Sequence, residues 1–320
     1  MKNKNGVMRV NAIIEKITEQ IQEGIYPGAS LALYRNGQWS EHYLGLADPE
    51  KGEPVVADLV YDLASVSKVV GVATICAFLY AKGELALDRP FKELYPRFAH
   101  EKTTIRELLT HTSGLDPFIP NRDQLDARQL KTALENLQLK EDKSFHYTDV
   151  NFLLLGFWLE ERFHQPLDRL FEELIFAPWK MTETRFGPVK KAVPTVRGLA
   201  SGSVHDPKAR VLGCHAGSAG LFSTVPDLEC FLEHYLKDDF ARDLSQNFAR
   251  EEGKTRALGW NLEGDWLDHT GYTGTFIMYN RKRQEAVIFL SNRTYEKDER
   301  AKWILDRNSL MDLIKQEFEK

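Results

Sequence analysis

Apolar positions near the N-terminus recur at helical spacing. Ile13, Ile14, Ile17, Ile21 and Ile25 fall on one stripe between polar residues, which predicts an amphipathic helix over residues 10–25. The pattern then turns strand-like over 29–34. Arg35-Asn36-Gly37-Gln38 carries the Asn-Gly hairpin signal, and a second strand is expected over 39–46. The next apolar block differs in kind. Residues 69–81 are nearly free of polar side chains, the pattern of a buried helix. From residue 87 to about 186 helices alternate with polar loops, most clearly over 105–109, 126–137, 151–163 and 167–176. Another helix is expected over 226–236. Strands return over 257–262, 266–270, 275–280 and 286–291, and a final helix over about 301–318.

Strands at both ends around a helical middle predict an α+β fold. Its antiparallel sheet is formed from both chain ends and flanked by helices, with an inserted, mostly helical region. A single domain over 1–320 is expected, with the sheet region at about 1–60 and 215–320 and the helical region at about 61–214. The cleft between them is the natural ligand site.

Composition narrows the function. The net charge of −5 has both signs interspersed and no Lys/Arg-rich block, so nucleic-acid binding has no electrostatic footprint. No window reaches the roughly 18 apolar residues of a membrane span. Lys2 and Lys4 are followed by no apolar signal-peptide core. Cys76, Cys214 and Cys230 are odd in number, lack metal-site spacing and read as reduced thiols. A cytoplasmic protein is therefore expected.

The chemistry begins at Ser65-Val66-Ser67-Lys68, where the long apolar helix starts. In a helix, Ser65 and Lys68 lie one turn apart on one face. A hydroxyl becomes a useful nucleophile when a neighbouring base takes its proton. A bare Ser-x-x-Lys is also what a capping serine and a solvated lysine would produce. Its company decides between the two. Tyr147 and Asp149 lie two residues apart before the helix at 151–163, where a phenol beside an ammonium can shuttle protons. Asp149 or Asn151 equally suits capping of that helix. His269-Thr270-Gly271-Tyr272-Thr273-Gly274 sits on an expected strand whose glycines permit close approach, and whose backbone amides can bind an oxyanion. Residues 109–115, Val204-His205-Asp206 and 215–222 form a third band rich in His, Ser and Gly. It reads as turn-building rather than zinc-binding, because no H-E-x-x-H or paired-Cys spacing supports a metal. No metal and no cofactor are expected.

In order and spacing, Ser65-x-x-Lys68, Tyr147-x-Asp149 and His269-Thr270-Gly271 resemble the three motifs of the serine β-lactamase and penicillin-binding-protein superfamily. The resemblance is closest to the class C β-lactamase-related branch of esterases and D-amino-acid peptidases, and runs from about residue 10 to 315. It implies a β-lactamase/transpeptidase-like fold and a bacterial hydrolase. Ser65 would be the acylated nucleophile. Lys68 would accept its proton or hold the network, and Tyr147 would act as general base and then acid. The amides of Ser65 and Tyr272 would form the oxyanion hole, with Asp149, His269, Thr270 and Gly271 around the substrate. Two departures affect substrate choice. The usual Tyr-x-Asn is Tyr-x-Asp here, and ionised Asp149 only accepts hydrogen bonds. His269 stands where β-lactamases carry lysine, and a neutral imidazole supplies no fixed charge for a carboxylate. Both changes favour a small ester, amide or D-amino-acid peptide over a β-lactam.

The expected function is therefore a carboxylesterase-like or peptidase-like serine hydrolase. A D-Ala-D-Ala carboxypeptidase or weak β-lactamase is the alternative among enzymes, and a non-catalytic acyl-ligand binder is the alternative outside them. A Ser-His-Asp α/β-hydrolase is disfavoured, because no G-x-S-x-G elbow occurs. The oligomeric state is open.

Overall fold

The computed structural model describes residues 10–250 and 254–320. The lysines read at the extreme N-terminus lie outside them. Strands β1 (Gly28–Arg35), β2 (Gln38–Asp48) and β3 (Glu53–Pro54) come from the N-terminal part. The middle supplies β4 (Tyr61–Asp62), β5 (Arg185–Phe186) and β6 (Leu221–Ser223). The C-terminal part adds β7 (Asn261–Glu263), β8 (Trp266–Thr270), β9 (Phe276–Asn280) and β10 (Glu285–Ser291). The main sheet has seven antiparallel strands in the order β3-β2-β1-β10-β9-β8-β7, so both chain ends build it as expected. A smaller sheet has the order β4-β6-β5.

Alternation along the strands divides the core. Leu31, Leu33, Val287 and Phe289 point to the face covered by helices Val10–Gln22 and Arg300–Glu319, meeting Ile13, Ile17, Leu310 and Ile314. Ala32, Tyr34, Ile288 and Leu290 point the other way, into the larger core under the helical region. With both faces covered, β1 and β10 tolerate almost no polar side chain, which is why they read as apolar runs.

Two expectations are corrected by local geometry, and one element goes beyond them. The first helix stops at Gln22 rather than 25, because Gly24 turns left-handed (φ +70°). The Gly24 and Ile25 amides then bond back to Ile21 and Gln20 carbonyls at 3.0 and 2.9 Å, a closing motif of helix C-termini. The strand expected over 257–262 shrinks to β7. Gly259 has φ +83°, and a Cβ there would lie 2.6 Å from that of Ala73, so the chain bends to press on the Ser65 helix. The small sheet was not anticipated, since strands of two or three residues leave no periodic signal.

The apolar block forms one helical run, Ala64–Ala81, whose winding changes three times. It is 3₁₀ over Ala64–Val66, π over Val69–Ala73 and α over Thr74–Ala81. Across the wide turn the Thr74 hydroxyl donates to the Val69 carbonyl at 2.6 Å. Contrary to the expectation that no window reaches a membrane span's length, the run is long and apolar enough to cross a membrane, but 78% of it is buried inside the domain. Val69, Val70, Val72 and Ile75 each stabilise the fold by about 1.5–3 kcal/mol through burial.

Candidate active site

The start of this helix is held by a set of short bonds. Ala64, the residue before Ser65, has φ +45°, a conformation that costs a non-glycine residue about 1–3 kcal/mol. Buried Asp62 holds it there: one carboxylate oxygen accepts from the Ala64 amide at 2.8 Å, the other from the His205 amide at 2.7 Å. Burial pushes the Asp62 carboxyl up to about 6. The turn after β8 fixes the other side. The Thr273 hydroxyl donates to the Asp62 carbonyl at 2.8 Å, and the Thr275 hydroxyl to the Leu63 carbonyl at 3.0 Å.

Lys68 is fully buried beneath Ser65. Its ammonium donates to Ser65 Oγ at 2.9 Å, to Asp149 Oδ1 at 2.7 Å and to the Ser218 carbonyl at 2.9 Å. Burial opposes its charge, but Asp149 and then Tyr147 outweigh burial and hold the group well above its usual range. Asp149 shows the complement. Burial opposes its ionisation, yet Lys68 and then Lys208 hold its carboxyl below the usual carboxylate range. Asp149 sits at the N-cap of helix Val150–Phe163 but makes no capping bond, because its carboxylate is turned to the lysines. Asn151 does not cap either. It accepts from Ser113 Oγ at 2.7 Å and meets His111 Nδ1 at 3.1 Å.

Those two contacts give the Leu-Thr-His-Thr-Ser-Gly-Leu stretch its purpose. His111 ends helix Ile105–Thr110 in a left-handed turn (φ 59°). Its ring lies 4.6 Å from that of Tyr147 and supports it from behind. Burial, then Arg256 and Lys68, push His111 well below its usual range, so the support is a neutral imidazole. The Tyr147 ring in turn lies 5.2 Å from Lys68 Nζ.

Ser65, Tyr147, Asp149 and Tyr272 border one cleft of about 980 Å³. His269 stays behind it, buried, with its ring 6.1 Å from Tyr147. Burial, followed by Lys68 and Arg256, keeps it neutral. Gly271 serves close packing, since a Cβ there would lie 2.6 Å from the Leu63 carbonyl. Thr270 is not brought to the cleft. It borders a separate cavity of about 290 Å³ with Asn261, Asp268 and Arg307. Adjacent strand residues point to opposite faces, so His269 and Thr270 cannot share one site from β8.

Several cleft residues carried no signal in the sequence. Lys208 reaches Asp149 Oδ2 at 3.3 Å. Arg210 and Arg300 border the same cleft and form no ion pair with a described residue. Arg293, which the resemblance already includes in Ser291-Asn292-Arg293, is buried behind the cleft wall, donates to the Tyr272 carbonyl at 2.8 Å and lies over its ring at 4.6 Å. Each depends on contacts between distant segments, which no local spacing encodes.

A hydroxyl on a helix start, bonded to a buried lysine and flanked by a tyrosine in an open cleft, defines a serine hydrolase. The Beta-lactamase family model matches residues 13–310, and the chain belongs to that family. Among curated relatives, a protein of Escherichia coli K12 named "Putative D-alanyl-D-alanine carboxypeptidase" is 28% identical over 363 residues, covering 90% of this chain and 83% of the relative. Solved structures share the fold. A β-lactamase/D-alanine carboxypeptidase from Pseudomonas syringae superposes with a TM-score of 0.75 at 19% identity, covering 94% of this chain and 98% of its own. EstCE1, a hydrolase with promiscuous acyltransferase activity, superposes at 0.76 and 19% identity, covering 94% and 97%.

Proposed function

We propose that this protein hydrolyses small esters or amides that carry a carboxylate, through an acyl-enzyme on Ser65. The observation that carries the reading is the 2.9 Å bond from Lys68 Nζ to Ser65 Oγ at the edge of the open cleft. Lys68 already spends three N–H bonds on Ser65, Asp149 and Ser218, so as an ammonium it has no lone pair for the serine proton. The base role therefore passes to Tyr147, with Lys68 as its charged partner. With Tyr147 entering the step as a phenolate beside the Lys68 ammonium, Ser65 Oγ attacks the substrate carbonyl carbon, its proton moves to the phenolate oxygen, and the amides of Ser65 and Tyr272 receive the oxyanion. Tyr147 then protonates the leaving alcohol or amine. Water repeats the sequence to release the acid.

Neutral His269 and acceptor-only Asp149 disfavour efficient β-lactam turnover. Arg210 and Arg300 supply positive charge at the cleft instead. That observation favours a second, narrower reading as a D-alanyl peptide carboxypeptidase, in line with the name of the E. coli relative. The unpaired thiols Cys76, Cys214 and Cys230 support a reducing, cytoplasmic compartment.

The test compares wild type with Ser65→Ala on p-nitrophenyl acetate, a fluorescent penicillin and a D-Ala-D-Ala peptide. Ester turnover and labelling disappear in the variant if Ser65 is the nucleophile. Unchanged ester turnover overturns the assignment. Release of D-alanine by wild type selects the narrower reading.

A further inference from the structure

We propose that Lys208 is a positioning residue of this reaction, acting through Asp149. The inference rests on the hydrolase reading above. Asp149 presents one oxygen to each of two ammonium groups: Oδ1 to Lys68 at 2.7 Å and Oδ2 to Lys208 at 3.3 Å. The Lys208 side chain is mostly buried at the cleft wall, with Asp206 Oδ2 at 3.9 Å as a more distant second carboxylate. Its backbone is pinned. Asp206 caps the helix Pro207–Leu212 by accepting from the Ala209 amide at 2.8 Å. One residue earlier, the His205 amide is tied to Asp62, the same carboxylate that holds Ala64 beside the nucleophile. The reach from Lys208 to Asp149 is thus built on the frame that presents Ser65.

Two ammonium groups and one carboxylate leave the trio with a net positive charge. An aspartate bound to Lys68 alone would compensate it fully and, as a negative charge beside Tyr147, oppose loss of a proton from the Lys68–Tyr147 pair. Lys208 prevents this by keeping Oδ2 turned away from Lys68. A fixed, shared carboxylate orients Lys68 toward Ser65 Oγ without closing on it with both oxygens. Lys208 therefore makes an aspartate workable at position 149.

The test is a double-mutant cycle read by the acylation burst with p-nitrophenyl acetate. Lys208→Met slows acylation by about tenfold or more, with the dissociation constant for substrate unchanged. In an Asp149→Asn background the same change alters the rate by no more than about twofold, because no carboxylate remains to be positioned. Lys208→Arg restores most of the wild-type rate. Lys208→Gln takes the place of the Met variant if its melting curve shows a loss of fold. Equal losses in both backgrounds overturn the proposal and make Lys208 a direct contact of substrate. An unchanged burst in Lys208→Met overturns it too. A wild type with no Ser65-dependent burst refutes the hydrolase reading instead, so the two failures are distinguishable.

Discussion

Gly271→Ala tests whether the distance between β8 and the nucleophile is set by packing. The φ of Gly271 lies outside the left-handed region, so alanine is free to adopt its backbone and the cost is steric. An added Cβ meets the Leu63 carbonyl at 2.6 Å, where ordinary contact begins at 3.4 Å, so the turn or Leu63 must retreat by about 0.8 Å. The same Cβ overlaps Thr275 Oγ1, and that hydroxyl is occupied by its bond to the Leu63 carbonyl. Leu63 lies two residues before Ser65, and Tyr272 follows Gly271 directly. The displacement therefore opens the gap between the two amides assigned to the oxyanion. A misplacement of about 1 Å costs on the order of 100-fold in rate. Overpacking itself costs about 1–3 kcal/mol of stability. Burst kinetics with p-nitrophenyl acetate and a melting curve measure the two effects separately. A variant with a lowered melting temperature and an unchanged acylation rate refutes the reasoning, because the strap would then be structural without setting the catalytic distance.

Asp149→Asn removes the negative charge 2.7 Å from Lys68 Nζ, and an opposite charge so close is worth about 1–3 pKa units. The acylation pH profile should move to lower pH by that amount, and an unmoved profile would separate Asp149 from the proton transfer. Glu229 gives a prediction remote from the site. Burial, then Glu41 and Glu233, push its carboxyl up from 4.5 to about 8. A carboxyl raised on folding favours the folded state below its unfolded value, and this contribution is lost as pH rises through about 8. Glu229→Gln should therefore raise the melting temperature relative to wild type at pH 9 more than at pH 5, and equal shifts at both would rule the linkage out.

The sequence resolved what local period and motif spacing encode. β8 was read with its observed bounds, because Trp266 to Thr270 sits between clear turns. Helix Val150–Phe163 was one residue short, since its apolar run is bounded by the Tyr147 loop. Ser65 and Lys68 were legible because one helical turn brings them together. Asp149 was placed in the site, but its capping reading failed. Whether an aspartate bonds its own backbone or a lysine 81 positions away is decided by tertiary packing. Thr270 follows His269 in the motif, but the two-residue period of its strand turns it to a separate cavity. Lys208 and Asp62 act across loops that meet only in the folded chain.

The pairing of β1 with β10 has a consequence for how activity arises. β1 lies near the start of the chain and β10 near its end, with Ala29 opposite Ser291 and Tyr34 opposite Ala286. Such distant pairing makes folding slow, because a long loop must close before the contacts reward it. On a ribosome, β1 and β2 emerge before β10 and keep an open edge until β10 has been made. The Thr273 and Thr275 hydroxyls that strap the nucleophile turn also arrive in this last portion. A chain cut short before β8 would keep the Ser-x-x-Lys pair but lack the strap that presents it. The Ser65 turn therefore takes up its final form only after β8 and the turn that follows it have been made.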